Sequence, residues 1–207
     1  MHAVVCRVFS RAMDKPTREQ ALALLTTHIK SESLIAHALS VEAVMRHYAD
    51  KLGEDPDKWG VIGLVHDLDW EQYPQQHCQK TTELLREAGW PEDYIRAVRS
   101  HAWGIFTDDQ PQHPMEKVLF TIDELTGLVT ATALVRPSKS VLDMKSKSVV
   151  KKWKQPSFAA GVDRSIVEKG LGLMGAELTE VIGEVLSAMQ AVAGEIGLAG
   201  DAAGEAN

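Results

Sequence analysis

Six histidine and aspartate residues in the first two thirds of the chain have types and surroundings that suit a metal site. They are His37, His66, Asp67, His77, His101 and Asp123. His66 and Asp67 end an apolar run that begins at Val61, and Asp123 lies inside the apolar sequence KVLFTIDELTGLV. Burying an imidazole or a carboxylate is costly unless each finds a partner. Imidazoles and carboxylates that converge in a helical bundle bind divalent metals, so the sequence predicts one or two such ions. The ligand types do not distinguish among Mn, Mg, Fe, Zn, Co and Ni.

Each of these residues also has a structural interpretation when it is taken alone. His37 shares the apolar face of its predicted helix and could be a core histidine bonded to a backbone carbonyl. Asp123 could form an internal salt bridge, while His77 and His101 could be capping or surface histidines. One metal centre accounts for all six residues together, and we therefore prefer it.

Helical periodicity dominates the chain from Thr17 onward and places these residues on different helices. Gly53 and Gly89 stand where helices commonly end, and Pro56, Pro91 and Pro114 stand where they commonly begin. The pattern predicts helices over 17–29, 33–52, 56–66, 77–88, 91–101, 114–135, 162–174 and 176–198. No β pattern of any length competes, so the predicted fold class is all-α.

A lysine-rich segment separates the last two predicted helices from the others. Residues 136–154 hold one arginine and six lysines against a single acid, Asp143. One interpretation is a solvated basic helix face. The other is that Lys145, Lys151 or Lys152 folds over the metal cavity and holds a phosphate, which suits a small anionic substrate.

Length and charge limit the possible functions and suggest how the chain is divided. We expect an N-terminal arm (1–16), a metal-binding helical domain (17–135), a helical extension that packs on it (136–199) and a disordered tail (200–207). Within the arm, Met13 has the character of a natural start. The net charge of -7 argues against a general nucleic-acid binder. No apolar stretch approaches the roughly 20 residues that cross a membrane, and two distant cysteines, Cys6 and Cys78, favour a cytoplasmic protein.

The ordered pattern of His37, then His66-Asp67, then Asp123 resembles the HD-domain superfamily of metal-dependent phosphohydrolases. His77 and His101 match the two further histidines of members with two metals. The stretches GLVHDLDWEQYP, DELTGLV and KKWKQPSFAAGVDR are most similar to small, stand-alone, HDIG-like bacterial proteins known as predicted hydrolases. The resemblance implies an HD-domain helical bundle with a C-terminal helical extension. The chain lacks the GYP signature of cyclic-di-GMP phosphodiesterases, and Ala102 replaces their second adjacent histidine, which argues against that substrate.

The resemblance also implies a mechanism with two metal positions. The ligands of the first would be His37, His66, Asp67 and Asp123. Those of the second would be His77 and His101, with Asp67 as the bridge. A metal-bound hydroxide would then attack the phosphorus of a small phosphorylated substrate, for which we expect a nucleotide. Asp69 or Glu124 would transfer the proton.

Two other functions use the same ligand types. HD-fold oxygenases hold a di-iron centre with imidazole and carboxylate ligands and oxidise a C–H bond. A non-catalytic HD protein could keep the metal as a structural element and bind a nucleotide in the pocket. Residue types alone do not distinguish these functions from a phosphohydrolase, and they do not indicate the oligomeric state.

Overall fold

The computed structural model describes residues 15–200 of the chain. The arm predicted at 1–16 and the tail predicted at 200–207 therefore fall almost wholly outside the described residues. Within these residues the chain forms nine α-helices and no β-strand, which confirms the all-α prediction. The helices are α1 (Arg18–His28), α2 (Glu32–Leu52), α3 (Pro56–Val65), α4 (Gln79–Glu87), α5 (Glu92–Ser100), α6 (Pro114–Leu134), α7 (Ser146–Trp153), α8 (Arg164–Met174) and α9 (Leu178–Ala191).

Local capping interactions explain several helix boundaries. The Thr17 side chain accepts the backbone N–H of Gln20 at the start of α1, and the Gln20 side chain accepts the backbone N–H of Thr17. Asp55 caps α3 through the N–H groups of Asp57 and Lys58. Gly53 ends α2 in the left-handed conformation, with φ of 71°, which costs glycine little. These boundaries follow from residues close in sequence.

Two predicted boundaries were wrong. The fourth helix begins at Gln79 and not at His77, because a short 3₁₀ turn (Pro74–Gln76) precedes it and Cys78 is left-handed, with φ of 63°. The last helix ends at Ala191 and does not reach residue 198. The chain turns after it, and the Leu198 carbonyl accepts the backbone N–H of Val141 at 2.9 Å. This bond ties the end of the described chain to the segment before α7.

The two longest helices, α2 and α6, pack against each other and organise the bundle. Helix α3 also packs on α2, α8 packs on α6, and α9 contacts both long helices. Gly63 lets α3 approach α2 closely, since a Cβ there would lie 3.1 Å from the backbone N of Glu42. This close approach places the rings of His66 and His37 with their centroids 5.2 Å apart. Among the described helices, none combines the length and the apolar character needed to cross a membrane.

Candidate metal centre

The structure brings the six predicted ligands together from five parts of the bundle. They come from α2 (His37), the end of α3 (His66 and Asp67), the turn before α4 (His77), the end of α5 (His101) and α6 (Asp123). Five of the six line one cavity of about 320 Å³. The sixth, His66, is fully buried beside it. Residues up to 86 positions apart, His37 and Asp123, therefore share one site.

Two histidines are oriented by hydrogen bonds on the α2 and α3 side of the site. Thr126 donates its hydroxyl to the Asp123 backbone carbonyl at 2.7 Å, and its Oγ1 lies 3.2 Å from His37 Nδ1, which donates to it. His66 Nδ1 donates to the Gly63 carbonyl at 2.8 Å. With Nδ1 protonated in each ring, Nε2 keeps its lone pair. Both rings therefore present Nε2 as a metal ligand.

The other two histidines are oriented in the same way. His77 Nδ1 lies 2.8 Å from Asp69 Oδ1, and His101 Nδ1 lies 2.5 Å from the Val98 carbonyl oxygen. Asp69 is fully buried, and its other oxygen accepts the backbone N–H of Thr81 at 2.8 Å. It does not line the cavity, which favours a positioning role for Asp69 over the predicted role in proton transfer. A buried carboxylate that holds a metal-binding histidine fixes its tautomer and raises its basicity.

A first group of ligand atoms surrounds Asp123 Oδ1. This oxygen lies 2.9 Å from His37 Nε2 and 3.4 Å from His66 Nε2. Asp67 Oδ2 completes the group, 3.5 Å from His66 Nε2. His66 Nε2 is buried and has no hydrogen-bond partner, which is costly for a polar atom. A metal ion held by this group would satisfy that atom, so these residues fit a metal.

A second group of ligand atoms lies on the other side of Asp67. His77 Nε2 and His101 Nε2 face each other at 3.0 Å. Asp67 Oδ1 lies 3.5 Å from the former and 3.4 Å from the latter. The two oxygens of Asp67 thus face different groups, which is the arrangement of a carboxylate that bridges two metal positions.

The charges of the cluster depend on these contacts. Burial raises the pKa of Asp123, but the neighbouring His37 and His66 outweigh it and hold that pKa well below its usual range. Burial lowers the pKa of His77, and the hydrogen bond to Asp69 outweighs it and raises that pKa to about 9. In the metal-free site, His77 therefore carries a second proton at neutral pH. Because a metal must replace this proton, metal binding would release it.

Glu124 is the acid that lines the cavity without belonging to either group of ligands. Its Oε2 accepts the backbone N–H of Asp163 at 3.1 Å, directly before α8. Burial and the adjacent Asp123 raise its pKa to about 7. Of the two acids proposed for proton transfer, this is the one whose position gives it access to a reacting group.

The three lysines predicted to hold a phosphate do not reach the cavity. Lys145 and Lys151 are exposed, and Lys152 Nζ lies over the ring of Phe158, 4.2 Å from its centroid. Helix α7 packs on α6 and α9 through its apolar face, with Val149 fully buried. The lysines therefore lie on its outer side, and the solvated-face interpretation describes them better.

The cavity walls away from the ligands are mainly apolar. They are formed by Leu34, Trp70, Ala102, Ile105, Phe106, Gly127, Gly161 and Ile166. Trp70 meets the His77 ring edge to face, with centroids 5.0 Å apart. Within residues 15–200, no lysine or arginine lines the cavity. An anionic ligand would therefore depend on the metal ions for its positive partners.

Two residues of the site had no functional role in the sequence prediction. Thr126 orients His37, and the only signal for it is its position three residues after Asp123 on the same helix. Cys78 is fully buried, and its Sγ lies 3.6 Å from His77 Nε2. Two cysteines far apart in the sequence indicate only the cellular compartment, so the sequence does not place Cys78 beside His77.

Comparison with known proteins agrees with this geometry. Residues 34–128 match the family model of the HD domain, and this segment contains all six converging residues. No curated protein and no solved structure matched the chain. The matched segment runs from α2 into α6 and includes three sets of side chains, drawn from histidine, aspartate and cysteine, that could each hold a metal ion. The chain therefore contains an HD domain over residues 34–128, which supports its membership of the HD-domain superfamily.

Proposed function

We propose that the protein is a metal-dependent phosphohydrolase that cleaves a phosphoester of a small substrate. One observation carries the proposal. All four histidines have Nδ1 bound to an acceptor, so that their Nε2 atoms converge on Asp67 and Asp123. Divalent ions bound there would polarise a phosphoryl oxygen and lower the pKa of a water molecule.

The residues of the chain have distinct parts in this reaction. Asp67 and Asp123 hold the cationic centre and are themselves kept ionised by the surrounding imidazoles. Glu124 takes up the proton released by the attacking water and can return it to the oxygen of the leaving alcohol. The apolar walls lower the local dielectric constant and so strengthen the electrostatic interactions inside the cavity.

The lining of the cavity favours a small phosphate monoester as the substrate, and we propose a nucleoside monophosphate first. The aromatic side chains of Trp70 and Phe106 line the cavity and suit an aromatic base. Additional phosphates would bring more negative charge toward the carboxylates of Asp67, Asp123 and Glu124, and no lysine or arginine among residues 15–200 lines the cavity to offset it. We therefore propose that monophosphates are cleaved in preference to triphosphates.

The test is phosphate release from nucleoside mono-, di- and triphosphates and sugar phosphates, with the protein loaded separately with Mn²⁺, Mg²⁺, Zn²⁺, Co²⁺ and Fe²⁺. We expect hydrolysis of monophosphates under anaerobic conditions and loss of activity in the Glu124→Gln protein with its metal content unchanged. Glu168→Gln, an exposed position on α8, serves as the matched control. Oxygen consumption by the iron-loaded protein, without phosphate release, would instead assign it to the HD-fold oxygenases. Tight nucleotide binding without either reaction would make it a binding protein.

A further inference from the structure

Cys78 lies next to the second group of ligands, and no role in the proposed reaction requires it. It directly follows His77, and it is fully buried. Its Sγ lies 3.6 Å from His77 Nε2 and 3.9 Å from His101 Nδ1. The thiol and the two imidazoles are close enough together to share a single ion.

The separations in this group can be compared with those of a tetrahedral metal site. With metal–nitrogen bonds of about 2.0–2.1 Å and a metal–sulfur bond of about 2.3 Å, tetrahedral angles place nitrogen and sulfur about 3.6 Å apart. They place two nitrogens, or a nitrogen and a carboxylate oxygen, about 3.4 Å apart. The observed values are 3.6 Å for His77 Nε2 to Cys78 Sγ, 3.0 Å between the two Nε2 atoms, and 3.4–3.5 Å from Asp67 Oδ1 to these nitrogens.

Among the described residues, the second group without the thiol offers three protein ligands, namely His77, His101 and one oxygen of Asp67. The first group has two imidazoles and two carboxylates. Burial of Cys78 does not argue against a ligand role, because His66 is equally buried and lies in the first group. A buried cysteine that only fills space has no need to lie at a ligand distance from an imidazole nitrogen.

We propose that Cys78 is the fourth protein ligand of the second metal position, together with His77, His101 and Asp67. The two positions then differ chemically, since the first offers nitrogen and oxygen and the second adds sulfur. Thiolate ligands select Zn²⁺, Co²⁺ or Fe²⁺ over Mg²⁺ and Mn²⁺. The second position would therefore retain a softer ion, while the first remains open to harder ones. This inference rests on the metal centre of the proposed function and not on the phosphohydrolase reaction.

The experiment is a Co²⁺ titration of the metal-free full chain, followed by absorption spectroscopy. Cobalt bound to a thiolate gives a near-ultraviolet charge-transfer band, and its visible d–d bands report binding by any ligand set. The chain has two cysteines, so the Cys6→Ser protein contains Cys78 as its single thiol. We expect the charge-transfer band in the wild-type and Cys6→Ser proteins and its loss in Cys78→Ser, with d–d bands present in all three.

The outcomes separate this inference from the proposed reaction. Cobalt binding by the Cys6→Ser protein without a charge-transfer band would overturn the thiolate ligand, even if the protein hydrolyses phosphoesters. A charge-transfer band in a protein that hydrolyses nothing would support the ligand and count against the reaction. Failure to bind Co²⁺ at all would overturn both. Because Cys6→Ser keeps Cys78, the test does not depend on whether Cys78→Ser folds.

Discussion

Replacing Asp69 by asparagine tests whether a residue outside the cavity controls the metal centre. The substitution keeps the shape of the side chain and exchanges one oxygen for an NH₂ group. The amide oxygen can continue to accept the Thr81 N–H, which leaves the NH₂ group facing His77 Nδ1. The new NH₂ group and the Nδ1–H group of His77 would then face each other as two donors, unless the proton of the imidazole moves from Nδ1 to Nε2. In that tautomer His77 has no lone pair to offer a metal.

The substitution should change two quantities, the metal affinity and the pH dependence of stability. Loss of a hydrogen-bond partner that supports a metal ligand costs about 10- to 100-fold in metal affinity, or about 1.4–2.8 kcal/mol. In the metal-free protein, the pKa of His77 is about 9 against an ordinary 6.5, and the hydrogen bond to Asp69 is the main cause that raises it. This difference corresponds to about 3 kcal/mol of stability, present below pH 6.5 and lost as the pH rises through about 9. The Asp69→Asn protein should lack that pH dependence.

Isothermal titration with Zn²⁺ measures the affinity, and histidine ¹⁵N chemical shifts report the tautomer of His77. Urea unfolding of the metal-free proteins at pH 6 and pH 9 measures the stability difference. Glu71→Gln is a matched control in the same turn, since Glu71 accepts backbone N–H groups of Lys30 and Ser31 and contacts no histidine of the site. Wild-type zinc affinity in a folded Asp69→Asn protein would refute the assigned positioning role.

Three further predictions concern residues with different places in the site. Asp67→Ala should lower the metal content, measured by atomic absorption, below the wild-type stoichiometry, because the two oxygens of Asp67 face both groups of ligands. Unchanged metal content would show that Asp67 is a half-buried hydrogen-bonding residue and not a ligand. Burial raises the Glu124 pKa to about 7, so the metal-free wild-type protein loses stability as the pH rises from 4.5 to 7 and the Glu124→Gln protein does not. The free energy of unfolding of Glu124→Gln should therefore rise by about 2 kcal/mol relative to wild type over this range, a value reduced for the partial solvent exposure of Glu124. A difference in urea midpoint between the two proteins that is the same at pH 4 and at pH 8 would contradict this. Replacing Lys151 and Lys152 together by alanine should leave KM unchanged, because neither residue lines the cavity. A raised KM would instead indicate that these lysines bind the substrate.

The sequence alone predicted the fold class and the identity of the six converging residues. Helix signals act over three or four positions, so features such as the capping residue Thr17 and the terminating Gly53 can be recognised locally. Polar residues within apolar runs, above all Asp123, could be recognised because a buried carboxylate needs a partner. The residue types then limited that partner to a cation, and the order along the chain indicated the family.

The tertiary structure decided what each neighbouring residue does. Asp69 and Glu124 looked equivalent in sequence, but one is buried behind His77 while the other lines the cavity. The charge of the lysine-rich segment is evident from the sequence, yet the face that α7 turns toward the bundle depends on its packing against α6 and α9. Periodicity shows which residues share a helix face, but it does not specify the neighbour that this face meets.

Contacts between distant residues explain why the rest could not be predicted. Thr126 lies 89 positions after the histidine that it orients, His37, and the pair forms only when α2 and α6 cross at one particular register. Cys78 reaches its position beside His77 because the chain leaves a 3₁₀ turn and takes a left-handed residue before α4. Local propensities leave such registers and turns open. They are set by the packing of the whole bundle, which alone determines the distances on which metal binding depends.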